Sequence, residues 1–215
     1  MASLGPFFTN QKTVDFVYEK CLNDRDITEL GEYFTSKQTA EYIFEHTKQY
    51  LSTRKHFYDP CAGTGGLLSM FLSKGYIFNH MSLNEIHPDF YSYLCYKYED
   101  TPVNICNIDM LEDISDNQYD FVCSDIPYGH KKEYKIYTKI KNILSDDGIA
   151  CLVVPKFLIS NERIYSDSDI VILNVVPNDS RSVILIFKKN NQHDMKKAKR
   201  KLSFDDIMLS KKPKI

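Results

Sequence analysis

The sequence of 215 residues predicts an α/β protein built on a doubly wound, largely parallel β-sheet. From about residue 56 onward, strand-like runs alternate with runs that have helical spacing, which is typical of β-α-β units. The last two strand-like runs, DIVILNVVP and SVILIFKK, are joined by only NDSR. Because four residues are too short for a crossover helix, these runs are predicted to form an antiparallel hairpin that adds one antiparallel strand at an edge of the sheet.

The predicted elements follow in order along the chain. Gln11–Leu22 and residues 32–51 have helical spacing, and Thr35 or Ser36 can cap the second helix. Its predicted apolar face consists of Ala40, Ile43, Phe44 and Thr47. The next predicted strands are HFYDP, MSLNEI, PVNICNID, YDFVCSD and IACLVVP. The predicted helices are GLLSMFLSKG, HPDFYSYLCYKYE, YKIYTKIKNILSDDG, which Gly148 is expected to end, and KFLISNERI.

Charge divides the chain unevenly. The formal net charge is −2, but residues 196–215 hold eight Lys or Arg and two Asp, a net +6, which leaves −8 on the rest. We therefore predict a helical lead-in at 1–30, one functional domain at 31–190 and a basic, disordered tail at 191–215. An alternative is that the tail is a nuclear import signal or a nucleic-acid tether.

Several protein classes are disfavoured. No apolar run approaches the roughly 18 residues of a membrane span, and the N-terminus lacks the basic start and apolar core of a secretory signal. The six cysteines form no CxxC pair and no ligand cluster. We expect an intracellular, cytoplasmic protein, or a nuclear one if the tail is an import signal, with no membrane association, disulfide or metal site.

The Gly-rich turn DPCAGTGG follows the first predicted strand. Gly63 and Gly65 fit a dinucleotide fingerprint, but Leu68 occupies its third glycine position, and the GK[ST] of a phosphate-binding loop is missing. Asp59 is a poor neighbour for a pyrophosphate and a good one for a cation. A ligand with a positive amino group and no phosphates fits better, and S-adenosylmethionine is such a ligand.

Acidic residues follow the second and third predicted strands. Glu85 lies about twenty residues after the Gly-rich turn, where a carboxylate can accept both hydroxyls of a ribose. Ile86 offers an apolar face for an adenine, and Asp109 can accept its exocyclic amine. Since the carboxyl ends of parallel strands form one edge of a sheet, we expect these residues and the turn to form one site.

The run YDFVCSDIPYG ends the fourth predicted strand with a site for a planar amine. Asp125 and the carbonyl of Ile126 are two acceptors for the two hydrogens of an exocyclic NH2. Pro127 fixes the backbone, Tyr128 can stack on the ring, and Gly129 allows the chain to turn away.

Four segments in this order, GEYFTSKQTAEYIF, DPCAGTGG, NEIHPDFYSYLCYKY and YDFVCSDIPYG, resemble the N6-adenine DNA methyltransferases. The likeness is strongest to the catalytic core of the modification subunit of type I restriction systems, and it runs from about Gly31 to Lys188. It implies a seven-stranded, Rossmann-like class I methyltransferase fold over 31–190. It also implies direct methyl transfer from S-adenosylmethionine to the N6 amine of a flipped adenine in DNA.

The resemblance also implies a role for each site residue. Asp125, Ile126, Pro127 and Tyr128 would hold the target amine, Glu85 the ribose, and Ile86 and Asp109 the adenine. The amino-acid part of the cofactor would contact Tyr33, Phe34, Thr35, Ser36, Asp59, Ala62, Gly63, Thr64, Gly65 and Gly66.

The sequence departs from the family pattern in several places. Asp-Ile-Pro-Tyr replaces the usual Asn-Pro-Pro-Phe/Tyr, and Thr35-Ser36 replaces Thr-Pro. The longer insertion of the type I proteins before the fifth strand is missing, and we expect no target-recognition domain after Lys188, where the basic tail follows. We therefore expect DNA specificity to come from a partner, such as a specificity subunit, or from the basic tail.

Other functions stay open at this stage. An Asp-x-Pro-Tyr loop serves any planar amine, so an RNA adenine or a protein glutamine is an alternative acceptor. A non-catalytic, methyltransferase-like subunit that binds a partner is a third possibility. A nicotinamide dehydrogenase is disfavoured by Leu68.

Overall fold

The structure is a computed structural model, and it describes residues 35–51, 56–114, 116–127, 132–160 and 162–190. Several predictions lie outside the described residues. They are the helix Gln11–Leu22, the side chains of Tyr33, Phe34 and Tyr128, the turn at Gly129 and the basic tail at 191–215.

Strands and helices alternate as the sequence predicts. The strands are β1 His56–Asp59, β2 His80–Asn84, β3 Val103–Cys106, β4 Tyr119–Asp125, β5 Leu144–Pro155, β6 Ile170–Pro177 and β7 Ser182–Lys189. The helices are α1 Lys37–Thr47, followed by a 3-10 turn at Lys48–Tyr50, α2 Gly66–Ser73, α3 Pro88–Lys97, α4 Glu133–Ile143, α5 Lys156–Ile159 and α6 Glu162–Tyr165.

The described residues form one seven-stranded sheet with the order β3-β2-β1-β4-β5-β7-β6. Strands β1 to β5 are parallel, and β7 is antiparallel to both of its neighbours. The predicted α/β class and the terminal antiparallel hairpin are confirmed. The chain reverses its direction of winding between β1 and β4, which is the point at which doubly wound sheets bind ligands.

The predicted place of the antiparallel strand is wrong. β7 lies between β5 and β6, so that β6 forms the edge of the sheet. The first six residues of β7 are buried, whereas most of β6 is half-buried. A strand that is apolar on both faces needs a neighbour on each side and helices or strands above and below it, which an edge does not provide.

Helix α1 begins where the sequence predicts. The side chain of Ser36 accepts the backbone N–H of Thr39 at 3.0 Å and caps the helix. The predicted apolar face is confirmed, because the buried residues of this helix are Ala40, Ile43, Phe44 and Thr47.

Helix α4 ends at Ile143, so the predicted end at Gly148 is wrong. Leu144 is extended and fully buried, and it pairs with Tyr119 of β4, while Ile149 pairs with Phe121. Residues 145–148 therefore form an irregular segment within β5. Gly148 has a different role from ending a helix, since a Cβ there would lie 2.8 Å from the carbonyl oxygen of Tyr119.

Two buried apolar clusters cover the two faces of the sheet. One contains Phe57 and Phe121 together with residues of α1 and α2. The other contains Val122 and Tyr137 together with residues of α4 and the short helices after β5. Within the described ranges, no helix combines the length and apolar character that crossing a membrane requires.

Candidate active site

Asp59 ends β1 and is almost completely buried, with 1% of its surface exposed. Its Oδ1 accepts the backbone N–H of Cys61 at 3.2 Å and the hydroxyl of Ser124 at 2.7 Å. Burial, opposed by these hydrogen bonds, raises the pKa of Asp59 to about 7. Asp59 therefore shapes the Gly-rich turn and joins the end of β1 to the end of β4.

The Gly-rich turn has a backbone that only glycine adopts easily. Gly63 and Gly65 have φ angles of 52° and 71°, in the left-handed region. A Cβ at Gly65 would lie 2.9 Å from side-chain atoms of both Leu94 and Tyr98. The turn thus passes very close to α3, and a side chain at residue 65 would push these two elements apart.

Two side chains at the end of α3 support this turn from behind. The hydroxyl of Tyr98 donates to the carbonyl oxygen of Gly65 at 2.8 Å, and Nζ of Lys97 donates to that of Thr64 at 2.7 Å. Burial lowers the pKa of Lys97 to about 7. Sequence reasoning missed both residues, because nothing in the spacing shows that α3 packs behind the turn.

Glu85 follows β2, and its carboxylate is positioned by two backbone N–H groups. Oε2 accepts from Gly63 at 2.7 Å and Oε1 accepts from His87 at 2.8 Å. Only 4% of the residue is exposed, and burial raises its pKa. Each oxygen retains a further lone pair, so the carboxylate can still accept the hydroxyls of a ribose.

Asn84, which the sequence analysis missed, connects three strand ends. Its Nδ2 donates to the carbonyl oxygens of Pro60 at 3.1 Å and Ile108 at 3.0 Å, and its Oδ1 accepts the N–H of Ile108 at 3.3 Å. The sequence does contain a signal for Asn84, because it is a polar residue directly before Glu85 in a largely apolar strand. Its amide fixes the loops after β1 and β3 around Glu85.

Two apolar side chains and a carboxylate complete this edge. Ile86, which the sequence predicts as an adenine contact, and Ile108, which it missed, are each 43% exposed. Asp109 is half-buried; its Oδ1 accepts the N–H of Leu111 at 2.9 Å, and its Oδ2 lies 3.7 Å from Nζ of Lys132. The structure thus brings Ile86 and Asp109 to the same edge as Glu85.

Asp125 ends β4, next to β1 in the sheet. Its Oδ2 accepts the hydroxyl of Thr35 at 3.1 Å. Burial, together with the negative charges of Asp59 and Asp179, raises the pKa of Asp125 to about 7. Ile126 is buried, and its N–H donates to the carbonyl oxygen of Val153 at 3.4 Å.

The residues before α1 are only partly described. Thr35 contacts Asp125, and Ser36 caps the helix, so both hydroxyls already have protein partners. Pro127 is half-buried directly after Ile126. Tyr33, Phe34 and Tyr128, which were also predicted to line the site, lie outside the described residues.

The order of these features along the chain agrees with a known family. The family model described as N-6 DNA Methylase matches residues 10–135, which is more than half of the chain. The chain belongs to the N-6 DNA methylase family. It is thus a methyltransferase with S-adenosylmethionine as its cofactor, and the resemblance seen in the sequence is confirmed.

Solved structures support the fold of this methyltransferase. A protein of Listeria monocytogenes assigned to the class I S-adenosylmethionine-dependent methyltransferases superposes with a TM-score of 0.68 at 15% identity, covering 84% of this chain and 68% of that one. A protein of Pyrococcus horikoshii assigned as an RNA methyltransferase gives 0.63 at 17% identity, covering 76% and 90%. The ribosomal protein L11 methylase of Lactobacillus delbrueckii subsp. bulgaricus gives 0.59 at 12% identity, covering 74% and 81%. No curated protein sequence matches the chain.

The residues present fit the cofactor. The backbone of the turn is left-handed at Gly63 and Gly65, and Glu85 beside it keeps acceptor capacity on both oxygens. Ile86 and Ile108 expose apolar surface beside them. This combination suits a ribose and an adenine without phosphates.

Proposed function

We propose that this methyltransferase transfers a methyl group to the N6 amine of adenine in DNA. The observation that supports the proposal best is the position of Asp125, at the winding reversal of the sheet beside the Gly-rich turn. Asp125-Ile126-Pro127 follows the fourth strand, within the residues that the family model matches, at the place where the resemblance puts the target amine.

Asp125 acts as an acceptor for the amine. We assign its Oδ1 to one N6 hydrogen, since Oδ2 is already bonded to Thr35, and the carbonyl of Ile126 to the other. S-adenosylmethionine supplies an electrophilic methyl group when bound. The nitrogen would gain the methyl group from the cofactor's sulfur and would lose one proton. A carboxylate with a pKa of about 7 can take that proton near neutral pH.

The remaining residues position the reactants. We assign Glu85 to the ribose, Ile86 and Asp109 to the adenine, and the turn from Ala62 to Gly66 to the amino-acid part of the cofactor. Asp59 contributes by fixing that turn and by placing a carboxyl group near a positively charged amine. The proposed roles of Tyr33, Phe34 and Ser36 at the cofactor, and of Tyr128 at the target amine, rest on the resemblance alone.

DNA is the proposed partner, and its target base must leave the stack to reach Asp125. A specificity subunit, another protein or the basic tail would supply sequence recognition. The structural neighbours include an RNA methyltransferase and a ribosomal protein methylase, which makes RNA adenine and protein amines the alternative acceptors to compare.

The test is transfer of tritium-labelled methyl from S-adenosylmethionine to DNA, RNA and protein substrates. Asp125→Ala should remove the transfer and retain cofactor binding, while Asp116→Ala, an exposed acid before β4, should match the wild type. Label on RNA or protein alone would overturn the DNA assignment. Full activity of Asp125→Ala would overturn the role of Asp125, and no label at all would favour a non-catalytic subunit or a missing partner.

A further inference from the structure

The hydroxyl of Thr35 reaches Asp125 across 90 residues of sequence, with its Oγ1 donating to Oδ2 at 3.1 Å. Both residues are half-buried at the edge of the sheet where the candidate site lies. The family pattern implies a cofactor contact for Thr35, whereas the structure places its hydroxyl on the group that would face the acceptor amine.

The segment that carries Thr35 is connected to the β6–β7 loop by a chain of hydrogen bonds. Ser36 caps α1, and its hydroxyl also donates to Oγ1 of Thr39 at 3.0 Å. Thr39 in turn donates to Oδ1 of Asn178 at 3.2 Å, and Asn178 donates to the hydroxyl of the fully buried Ser182 at 2.9 Å. This chain of hydrogen bonds connects the segment that carries Thr35 to β7.

A carboxylate needs such a fixed donor more than an amide does. In an asparagine side chain the oxygen accepts hydrogen bonds and the nitrogen donates them. The neighbouring donors and acceptors therefore determine which of the two atoms faces a target amine. The two oxygens of Asp125 are equivalent, and rotation about its last side-chain bond is broadly permitted. A hydrogen bond to one oxygen fixes the plane of the group and leaves the other oxygen in a defined place.

We propose that Thr35 is a positioning residue for methyl transfer, whose hydroxyl holds Oδ2 of Asp125 so that Oδ1 faces the acceptor amine. This inference rests on the proposed function, because it takes Asp125 as the acceptor of the amine. Thr35 acts through Asp125 and makes no contact with the reacting atoms. Its loss should therefore affect turnover more than cofactor binding.

The surroundings of Asp125 give the expected direction of its titration. The hydroxyl of Thr35 favours the charged carboxylate and lowers its pKa, while burial and nearby acids raise it. The titratable groups that face Asp125 are Asp59 at the end of β1, Asp179 in the β6–β7 loop, and the thiols of Cys61 and Cys123. Without this hydroxyl, burial and the nearby acids still raise the pKa of Asp125 and the opposing hydrogen bond is lost, so this pKa should rise.

The kinetic test compares Thr35→Val, which keeps the shape and removes the hydroxyl, with Thr35→Ser, which keeps the hydroxyl. We expect Thr35→Val to lower kcat by about 10- to 100-fold, the usual effect of one hydrogen bond to a charged group, and to move the acid limb of the pH profile upward. Thr35→Ser should restore most of the activity. Thr138→Val, which removes a partly buried hydroxyl from α4, is the matched control.

A second readout needs no turnover. The carboxyl group of Asp125 is titrated by carbon-13 NMR in wild type and Thr35→Val, with its signal assigned by Asp125→Asn. A higher pKa in Thr35→Val shows that the hydroxyl of Thr35 acts on Asp125, and it does so whether or not methyl transfer is found, so a failure of this contact is distinguished from a failure of the proposed function. An unchanged titration would overturn the inference. So would a Thr35→Val protein that binds S-adenosylmethionine weakly and keeps its kcat.

Discussion

The backbone N–H of Gly63 donates a hydrogen bond to Oε2 of Glu85 at 2.7 Å. This bond joins the Gly-rich turn after β1 to the carboxylate after β2, two features that the sequence separates by 22 residues. The other oxygen of Glu85 accepts a hydrogen bond from the N–H of His87, so both oxygens are positioned by the backbone. Each oxygen still has a lone pair that can accept a hydrogen bond from a ligand.

Glu85→Gln should weaken binding of S-adenosylmethionine by about 10- to 100-fold. The amide nitrogen of glutamine cannot accept a hydrogen bond, so it would face one of the two N–H donors and remove one ribose acceptor. Isothermal titration calorimetry measures the affinity, and circular dichroism checks the fold. Glu99→Gln, an exposed acid after α3, is the control. Equal affinities for Glu85→Gln and wild type would contradict the ribose assignment.

Gly65→Ala should lower the free energy of unfolding by about 2–4 kcal/mol. A left-handed φ of 71° costs a non-glycine residue about 1–2 kcal/mol, and the new Cβ would also press on Leu94 and Tyr98. Gly75 offers a matched control, because its φ is 81° but nothing lies within 4 Å of a Cβ built there. Gly75→Ala should cost only about 1 kcal/mol. Urea denaturation would disprove this packing account if both variants lost the same stability.

Asn84→Asp should lower the free energy of unfolding by about 3 kcal/mol, because it removes two buried donors. Its carboxylate would instead face the carbonyl oxygens of Pro60 and Ile108. The exposed Asn104 on β3 provides the same substitution as a control, which should change stability by less than about 0.5 kcal/mol. Thermal or urea unfolding of both variants tests the prediction, and a harmless Asn84→Asp would show that this amide does not hold the loops.

The stability of Asp59→Asn relative to wild type should increase with pH. The pKa of Asp59 is raised to about 7 in the folded protein from a usual value of 3.8, so its stabilising contribution is complete below about pH 4 and is lost as pH rises to about 7. An asparagine does not titrate. The difference in free energy of unfolding should therefore grow by about 2–4 kcal/mol over this range and then stay constant.

This prediction is measured by urea unfolding of both proteins at a series of pH values from 4.5 to 8, with Asp100→Asn as the acid-to-amide control on an exposed residue. The negative charge of Asp59 also raises the pKa of Asp125, so its removal should lower that pKa and change the difference in the same direction. A difference between Asp59→Asn and wild type that stays the same at every pH would contradict the raised pKa.

The fold was largely predictable because each element has a distinct local pattern. β4 runs from Tyr119 to Asp125 as its apolar sequence indicates, and Ser36 caps α1. The end of α4 and the place of β7 were not predictable in this way. Leu144 leaves the helix to pair with Tyr119, and β7 enters the sheet beside β5, so both depend on contacts between distant parts of the chain.

The site was predictable to the extent that parallel strands bring their carboxyl ends together. Asp59, Glu85 and Asp125 follow from this rule, and the structure places them at the same edge. Tyr98 and the contact between Thr35 and Asp125 do not follow from it. They depend on how helices pack against loops, which no short sequence pattern records.

The most direct test of the proposed function uses S-adenosylmethionine with a deuterated methyl group and unmethylated DNA, with and without a cell extract that can supply a partner. Mass spectrometry of the digested nucleosides then identifies the acceptor atom. The account predicts trideuteromethyl on N6 of deoxyadenosine with wild-type protein and none with Asp125→Ala. Label on cytosine, on RNA or on protein, with none on deoxyadenosine, would contradict it.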